Sequence, residues 1–599
     1  MYAELASTMA GLLLIMLLPG YALVLALFAK KRLDFSERIL LSVISSISAN
    51  ILSLFILNTV LKIPLNTNTL PIEILALTII FSAIYLLRTR ELPYVYIEDI
   101  DLGSALKTAS VIAVLALNFT LVYSIHTGYK YPYIQSEWHH LAEGVKFVDS
   151  SGIDHRDPYY RNSTTASDAG LLETGFGLLL AEILLLTGQK PVLVYPYLPA
   201  VFACVSALAA YAFTYRITKN HVIGLISMLF FAGLQSNINV TGPWFFLPLT
   251  LGFPFVYTIL YLTTESAEKS KKAGYILAAL ALAALSLIHP WTTAITLPII
   301  AAYFLTRPGL VKKNAAGLAA LILTPLLLLA YAYTNYGISL EYLSKNFVIR
   351  GLNIPVKEIT EPAYLLNVYG ILPLILALAG IAYIVIRNKK KERIVALWAM
   401  LAASDILLFH AAGLTILAPY EAVLYYLMLA LIPLSAIGLY KTLEKIDGRI
   451  RNNTVTAILT IAALAAVAYT MFAPYYENGQ DLYRIIDNGS FEGLKWLEQN
   501  RGHHNVVLSR PETSSAIYPL TGNYVVSVLG VNSSGLEDNR RFFRSDCDGK
   551  KQIIIKHGVD YLFLKKDDRI GCDYARTIYS QKGVYIYEVD KNALENGNP

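Results

Sequence analysis

The sequence predicts a polytopic α-helical membrane protein with a small C-terminal α/β domain. Apolar stretches of roughly 20 residues recur along the chain, and each is long enough to cross a hydrocarbon core of about 30 Å. Of the 599 residues, 55% are hydrophobic and only 15% are charged, whereas soluble proteins carry about 25% charged residues. Ordinary polarity returns after residue 474, which marks the start of the soluble domain.

Hydropathy and length predict about fourteen spans. The first stretch, Ala3 to Ala29, is too long for a signal peptide and lacks a basic region before it, so we expect it to be a retained span. The spans are predicted over residues 5–29, 39–61, 70–88, 107–125, 191–215, 221–236, 246–263, 273–289, 291–306, 313–334, 364–387, 394–412, 420–440 and 455–473.

Lysine and arginine near the span ends indicate the orientation. The basic connectors can all face the cytoplasm if the apolar stretch Leu171–Thr187 does not cross. That stretch has only about 17 residues and carries Glu173 and Glu182, which favours a juxtamembrane or re-entrant helix. The N-terminus, the loops 126–190 and 335–363 and the C-terminal tail then face outside. The net charge of +6 follows from this distribution, so we predict no nucleic-acid partner.

The tail alternates helical and strand patterns, which is typical of a small α/β domain. Cys547 and Cys572 form a disulfide in an oxidising compartment or remain two thiols, and the sequence leaves both open. Helices are predicted over Phe491–Asn500 and near Lys551–His557, and strands over Asn505–Ser509, Tyr524–Val528, Tyr561–Lys565 and Val584–Val589.

The first outer loop carries the best candidate for a general base, Glu137. It lies just beyond a span in an aromatic setting, where partial loss of water raises a carboxyl pKa toward useful values. The alternative is a surface or helix-capping carboxylate.

Other residues of this loop are candidates for binding substrate. Asp154, His155, Arg156 and Asp157 bind a substrate or ion, or instead form a turn held by its own hydrogen bonds. The pair His139 and His140 contacts substrate. Adjacent histidines do not face one way on a helix, and no zinc-site spacing accompanies them. We therefore predict no metal site and no cofactor, with a divalent metal as the less favoured alternative.

Cationic residues of both outer loops suit a phosphate group. Arg156 in the first loop is joined by Arg350 and Lys357 in the second, with lipid-headgroup contact as the alternative. Glu361 and His289 complete the candidate substrate-binding set. His289 is otherwise an interfacial anchor or a core histidine.

Together these segments resemble the GT-C superfamily of membrane glycosyltransferases, which use polyprenyl-phosphate-linked sugars. The similarity is to archaeal and bacterial members and, distantly, to oligosaccharyltransferase catalytic subunits. It implies that Glu137 takes the place of the family's catalytic acid and that Leu171–Thr187 is a juxtamembrane helix. It covers residues 105–590 and rests on Glu137-Trp-His-His-Leu, Asp154-His-Arg-Asp-Pro-Tyr-Tyr, Glu358-Ile-Thr-Glu361-Pro-Ala-Tyr and Gly493-Leu-Lys-Trp496-Leu.

Departures from that pattern refine the expectation. Oligosaccharyltransferases carry Trp-Trp-Asp-Tyr-Gly where this chain has Arg510-Pro-Glu-Thr-Ser514, and their second acidic motif falls near Gln235–Trp244, which contains no carboxylate. The resemblance then implies a metal-independent transferase of one sugar unit. Residues 1–104 resemble an uncharacterised archaeal three-span module and form an accessory domain, followed by a catalytic membrane domain, 105–474, and an external domain, 475–599.

The expected function is that of an inverting glycosyltransferase in the cell membrane. Its donor is a polyprenyl-phosphate-linked sugar, and its acceptor is a hydroxyl of a glycan, lipid or protein on the outer face. Membrane lipid surrounds the donor chain. A transporter or flippase for a lipid-linked or amphipathic solute, with Asp405 and Glu421 as proton carriers, is the alternative. Transfer to protein in the manner of oligosaccharyltransferases is the third.

Overall fold

The structure is a computed structural model that describes residues 2–28, 33–90, 102–161, 163, 172–188, 191–234, 242–269, 272–336, 366, 369–450, 484–529 and 535–595. The last predicted span, 455–473, and nearly all of the second outer loop lie outside the described residues.

Each predicted span except that last one coincides with a helix. Short helices at Pro191–Val194, Tyr195–Tyr197 and Pro308–Lys313 lie between the long ones. The main helices are α1 (Tyr2–Phe28), α2 (Phe35–Thr59), α3 (Thr69–Thr89), α4 (Leu102–Thr127), α5 (Gln135–Asp149), α6 (Thr174–Thr187), α7 (Leu198–Thr218), α8 (His221–Ala232), α9 (Pro248–Lys269), α10 (Lys272–Ile288), α11 (Pro290–Leu305), α12 (Ala315–Tyr336), α13 (Ile371–Ile386), α14 (Arg393–Ala412) and α15 (Tyr420–Ile450).

Within the described residues, eight helical segments are long and apolar enough to cross a membrane. Others, such as α8, α10, α11 and α13, are apolar but shorter than 18 residues, so the predicted count of about fourteen is not confirmed. One reason is visible at His289, where the following proline cannot continue the i→i−4 ladder and separates α10 from α11. The chain is a multi-pass α-helical membrane protein.

Helix α6 corresponds to the stretch that the sequence predicts not to cross. Its 14 residues span only about 21 Å at 1.5 Å per residue. It packs against α5 at very short range: a Cβ on Gly144 would lie 2.6 Å from the Leu180 side chain, and one on Gly177 would lie 2.8 Å from the Phe147 ring. The length of α6 suits a non-crossing helix, and the close packing fixes α5 over it.

The first three helices pack directly against the rest of the membrane part. The guanidinium of Arg216 on α7 donates to both carboxylate oxygens of Glu37 on α2, and the Tyr261 hydroxyl donates to the same carboxylate at 3.0 Å. Deeper in the bundle, Asn50 donates to Glu182 on α6 at 2.7 Å. These contacts attach the N-terminal helices to α6, α7 and α9.

The tail forms the expected α/β domain around a five-stranded mixed sheet with strand order β2-β1-β3-β5-β4. Strands β1, β2 and β3 are parallel, and β5 runs antiparallel to both β3 and β4. The elements are α16 (Asn488–Arg501), β1 (Val506–Leu508), short helices Pro511–Ser514 and Ile517–Thr521, β2 (Tyr524–Val525), α17 (Gly535–Phe542), α18 (Cys547–His557), β3 (Tyr561–Lys565), the turn Lys566–Asp568, β4 (Ala575–Gln581), β5 (Val584–Val589) and Lys591–Glu595.

Local chemistry explains the helix ends in the tail. The Asp487 carboxylate accepts the Ser490 N–H at 2.7 Å and starts α16, and Asp546 caps α18 in the same way. Gly558, with φ of 61°, ends α18 in the left-handed conformation that glycine adopts without steric cost. A disulfide joins Cys547 to Cys572, which is the first of the two states that the sequence left open.

The tail domain packs on the first outer loop. The Val525 N–H donates to the Tyr159 carbonyl at 2.9 Å, the Tyr159 hydroxyl donates to the Ser515 carbonyl at 3.1 Å, and the Tyr518 hydroxyl donates to Asp149 at 3.0 Å. Both parts share one buried apolar cluster. Since two polar segments in direct contact lie on one side of a bilayer, the loop and the tail are on the same side.

Candidate active site

Helix α5 carries the predicted residues at the edge of the membrane part. Trp138 fixes it there: its side chain is fully buried, and its indole N–H donates to the Pro132 carbonyl at 3.1 Å. Residues 137, 140 and 143 follow one another at spacings of three, so they share one side of the helix. That side turns toward α6 and the corner between α10 and α11.

Glu137 is buried, and each of its carboxylate oxygens accepts two hydrogen bonds. One oxygen accepts the backbone N–H groups of Tyr133 (2.7 Å) and Ile134 (3.3 Å). The other accepts the Phe246 N–H at 2.9 Å and the Tyr195 hydroxyl. Burial raises the Glu137 pKa to about 7, against the lowering effect of these four donors. The carboxylate thus caps α5 and joins it to the segment before α9.

A second group of polar side chains meets beside Glu137. His140 Nε2 lies 3.6 Å from one oxygen of Glu173, and His289 Nε2 lies 3.6 Å from the other. Glu173 immediately precedes α6, whereas His289 precedes Pro290 at the α10–α11 corner, where its Nδ1 lies 2.6 Å from the Thr292 hydroxyl. We call His140, Glu173 and His289 the His–Glu–His cluster.

The side chains of the cluster are mostly buried, but less completely than Glu137. Its side chains are 13%, 17% and 9% exposed for His140, Glu173 and His289, respectively, whereas the whole of Glu137 is 1% exposed. A separation of 3.6 Å is too long for a direct hydrogen bond, and a hydroxyl beside the pair can bond to both the carboxyl and an imidazole. The cluster is therefore easier for a ligand to reach than Glu137.

Burial controls the protonation of these groups. It raises the Glu173 pKa to about 8, with a further contribution from the nearby Glu143 carboxylate. It lowers the His140 pKa to about 3, helped by the neighbouring His139 and His289, and the His139 pKa to about 4. Neutral imidazoles next to a carboxyl that titrates near neutrality can accept, hold and return a proton.

His139 points away from this cluster. Its ring lies edge-on to Tyr159, with 5.5 Å between centroids, and its Nε2 lies 3.4 Å from the Gln135 amide. The predicted pair His139–His140 therefore splits between two environments, as expected for adjacent helical positions. Among the residues that the structure describes, no group of three or more His, Cys, Asp and Glu side chains is arranged to hold a metal ion.

The segment Asp154–Asp157 adopts the geometry of the alternative that the sequence left open, a turn held by its own hydrogen bonds. Arg156 donates to both oxygens of Asp154, at 2.9 and 2.6 Å, and its side chain is 65% exposed. Asp157 is buried and accepts the Tyr159 N–H at 2.9 Å. The His155 ring lies edge-on to Phe147. Asp154 and Arg156 bind each other and so hold the shape of this turn. The turn thereby supports the packing of the first outer loop on the tail domain.

Arg350, Lys357 and Glu361, the candidates from the second outer loop, lie outside the described residues, so their role stays a prediction. Glu173 was not among the predicted site residues. A carboxylate at the boundary of an apolar stretch was the available signal, but the sequence was used only to argue that the stretch does not cross.

The sequence indicates no partner for Asp405, but the structure shows that its carboxylate binds backbone groups. Its carboxylate accepts the backbone N–H groups of Ile416 (2.8 Å) and Leu417 (3.2 Å) in the turn after α14. It therefore closes that turn, which weakens the transporter alternative built on it.

Comparison with known proteins identifies the fold. No protein-family model matches the chain, and no curated protein sequence matches it. Solved structures of the Archaeoglobus fulgidus oligosaccharyltransferase are similar: the apo form has a TM-score of 0.54 at 12% identity and covers 81% of this chain and 74% of that chain. The complex of that enzyme, AglB, with an inhibitory peptide and a dolichol-phosphate has a TM-score of 0.54 at 12% identity, covering 83% and 75%.

A third structure of the same enzyme, with Zn and sulfate, has a TM-score of 0.51 at 14% identity and covers 80% of this chain and 73% of that chain. The match therefore covers about four fifths of the chain. Identities this low show the fold and leave substrate and mechanism to be argued from the site. The chain has the fold of the GT-C membrane glycosyltransferases.

Proposed function

We propose that the protein is a glycosyltransferase that moves one sugar from a polyprenyl-phosphate donor to an acceptor hydroxyl on the extracytoplasmic face. The observation that carries the proposal is the His–Glu–His cluster at the membrane edge, where a carboxyl with a pKa raised to about 8 lies between two imidazoles. The similar AglB was solved with a dolichol-phosphate bound, and a sugar carried on a lipid phosphate of that class is the donor that we propose.

The proposed reaction is a single displacement with inversion. The acceptor oxygen attacks the anomeric carbon, the bond to the phosphate oxygen breaks, and the polyprenyl phosphate leaves with the electron pair. The acceptor proton passes to a carboxylate, a transfer that contributes about 10²–10⁴-fold. Cationic side chains stabilise the leaving phosphate; Arg350 and Lys357 are the candidates predicted from the sequence.

Two carboxyls compete for the role of general base. Glu137 is the residue chosen from the sequence, and it stays a candidate. All four of its acceptor positions are occupied, so it would have to lose a donor before it could take a proton. Glu173 keeps an exposed edge, and we propose it as the base. Glu137 is then the residue that positions α5.

Single substitutions separate these roles. Release of polyprenyl phosphate from a labelled donor, measured with purified protein, should fall by about 10²-fold or more in Glu173→Gln while the melting temperature changes little. Glu137→Gln should lower the melting temperature, because the amide cannot accept from all four donors. The opposite result would return the role of base to Glu137. In that case Glu137→Gln would be as stable as wild type but inactive, and Glu173→Gln would keep normal turnover.

The extracytoplasmic placement is part of the proposal. It is supported by the basic connectors on the opposite side and by the contact between the first outer loop and the disulfide-bonded tail. Movement of intact donor across vesicles without release of polyprenyl phosphate would favour the transporter alternative.

A further inference from the structure

A cleft of about 390 Å³ lies where the end of α4 meets the tail domain, away from the His–Glu–His cluster. This volume is within the range of small-molecule binding sites. One wall comes from the start of the first outer loop, including Tyr129 and Tyr131, and the other from the residues that lead into α16 and from the end of β3.

Hydrogen bonds between the two walls hold the cleft in shape. The Tyr131 hydroxyl donates to the Asn488 side chain at 2.9 Å, and the Ile486 N–H donates to the Tyr129 hydroxyl at 3.2 Å. Both tyrosines are buried to 5% exposure or less. A cleft whose walls are joined in this way is preorganised, so a ligand does not have to order it.

The lining of the cleft is positively charged. It contains three cations, Lys130, Arg484 and Lys565, and one carboxylate, Asp487, which gives a formal charge of +2. Lys565 pairs with Asp487 at 3.2 Å, but both side chains are strongly exposed, so that pair contributes little. The Lys130 ammonium lies 5.2 Å from the centroid of the Phe491 ring on α16, the helix that follows the other wall.

The cleft is mechanically connected to Glu137. The rings of Tyr129 and Tyr133 are in contact, with centroids 4.7 Å apart, and the Tyr133 N–H is one of the four donors to Glu137. A ligand against Tyr129 therefore lies only one aromatic ring from the residue that fixes α5 in place.

We propose that this cleft binds an anionic carbohydrate, whose phosphate or carboxylate contacts Lys130, Arg484 and Lys565 while its hydroxyls contact polar groups of the two walls. Ammonium and guanidinium groups bind such acids through charge-assisted hydrogen bonds, and the mainly polar lining of the cleft suits the hydroxyls of a sugar.

Isothermal titration of the full-length protein in neutral detergent tests the binding. The probes are glucose 6-phosphate, glucuronate, neutral glucose and inorganic phosphate. Saturable binding of the two acidic sugars, at least about tenfold tighter than that of glucose and of phosphate alone, is expected, because the site offers both positive charge and polar partners for the sugar hydroxyls. Equal binding of neutral glucose, or of phosphate alone, would overturn the proposal.

Two variants locate the binding. Lys130→Gln and Lys565→Gln, made separately, should each weaken it by about tenfold, or about 1.4 kcal/mol, because each loses a charge-assisted hydrogen bond. Lys556→Gln is the matched control, because Lys556 is an exposed lysine of the same domain that forms a surface ion pair with Asp538. Unchanged binding in both cleft variants, each with a wild-type melting curve, would contradict the assignment.

The phosphate of a lipid headgroup is a second source of the same chemistry. A competition experiment separates the two sources. If anionic phosphatidylglycerol vesicles displace glucose 6-phosphate and phosphatidylcholine vesicles do not, the cleft binds lipid headgroups and the carbohydrate assignment is overturned. Acidic-sugar binding without any glycosyl transfer would remove the proposed function and keep the site.

Discussion

The Tyr195 hydroxyl donates a hydrogen bond to the carboxylate oxygen of Glu137 that also accepts one from the Phe246 N–H. The two residues are 58 positions apart and connect the start of the outer-loop helix to the first turn of the next membrane segment. Because the other Glu137 oxygen binds the residues before α5, one side chain ties three parts of the chain together. The predictions below begin from this contact.

Removing the Tyr195 hydroxyl should loosen that connection. In Tyr195→Phe the buried carboxylate loses a charge-assisted hydrogen bond, so the free energy of unfolding should fall by about 1.5–3 kcal/mol. The fall can be measured as a lower melting temperature in detergent. Tyr215→Phe is the control, because that residue stacks on Tyr211 through its ring. An equal loss in both variants would point to packing and not to the bond with Glu137.

The pH dependence should identify the general base. A carboxylate accepts a proton only when it is ionised, so with Glu173 as base the rate should fall as the pH drops through its pKa of about 8. The Glu143→Gln variant removes the negative charge that contributes to this value, so the midpoint should move to lower pH. Initial rates measured from pH 6 to 9 check both statements. A midpoint near 7 that moves upward in Tyr195→Phe would point to Glu137 instead.

The disulfide should stabilise the tail domain. Cys547 and Cys572 are 25 residues apart, and closing a loop of that size stabilises a fold by roughly 3 kcal/mol. Replacing both cysteines with serine should therefore lower the melting temperature of the tail, as should a reducing agent added to the wild-type protein. Cys204→Ser, with a reduced-state control, should leave the transition unchanged. Insensitivity to both treatments would show that the bridge does not form in solution.

Labelling can test the side of the membrane. In a background without native cysteines, single cysteines at Ser150 and Lys582 should react with an impermeant maleimide from the same side, because the loop and the tail are in contact. A cysteine at Lys312, in a basic connector, should react from the opposite side. Labelling of Ser150 and Lys582 from different sides would contradict the docked arrangement, and labelling of both from the cytoplasm would contradict the proposed outer location.

The parts predicted correctly from the sequence are those with a strong local pattern. Strands Tyr561–Lys565 and Val584–Val589 have the predicted bounds, because their alternating or continuous apolar residues are buried. Strand β4 was not predicted: Ala575–Gln581 is an edge strand with mostly exposed side chains, so it lacks the periodicity that indicates a strand. The short α10 and α11 show that span counting fails where a proline interrupts a helix.

The candidate site was predicted in part. Glu137, His140 and His289 were chosen from the sequence, but nothing local indicates that His140 meets His289, nearly 150 positions later, or that Glu173 lies between them. Such contacts depend on how helices cross, which is decided by residues like Gly144 and Gly177 that let α5 and α6 approach. The pairing of Asp154 with Arg156 is local, and the sequence analysis had considered it.

The ion pair between Glu37 and Arg216 has a consequence for any shortened form of the chain. A protein that begins at residue 105 would leave Arg216, partly buried against α9, without its carboxylate partner. It would also uncover the faces of α6 and α7 that α2 shields from lipid. The remaining helices should therefore misassemble when expressed alone, so the N-terminal helices behave as an inseparable part of one folding unit.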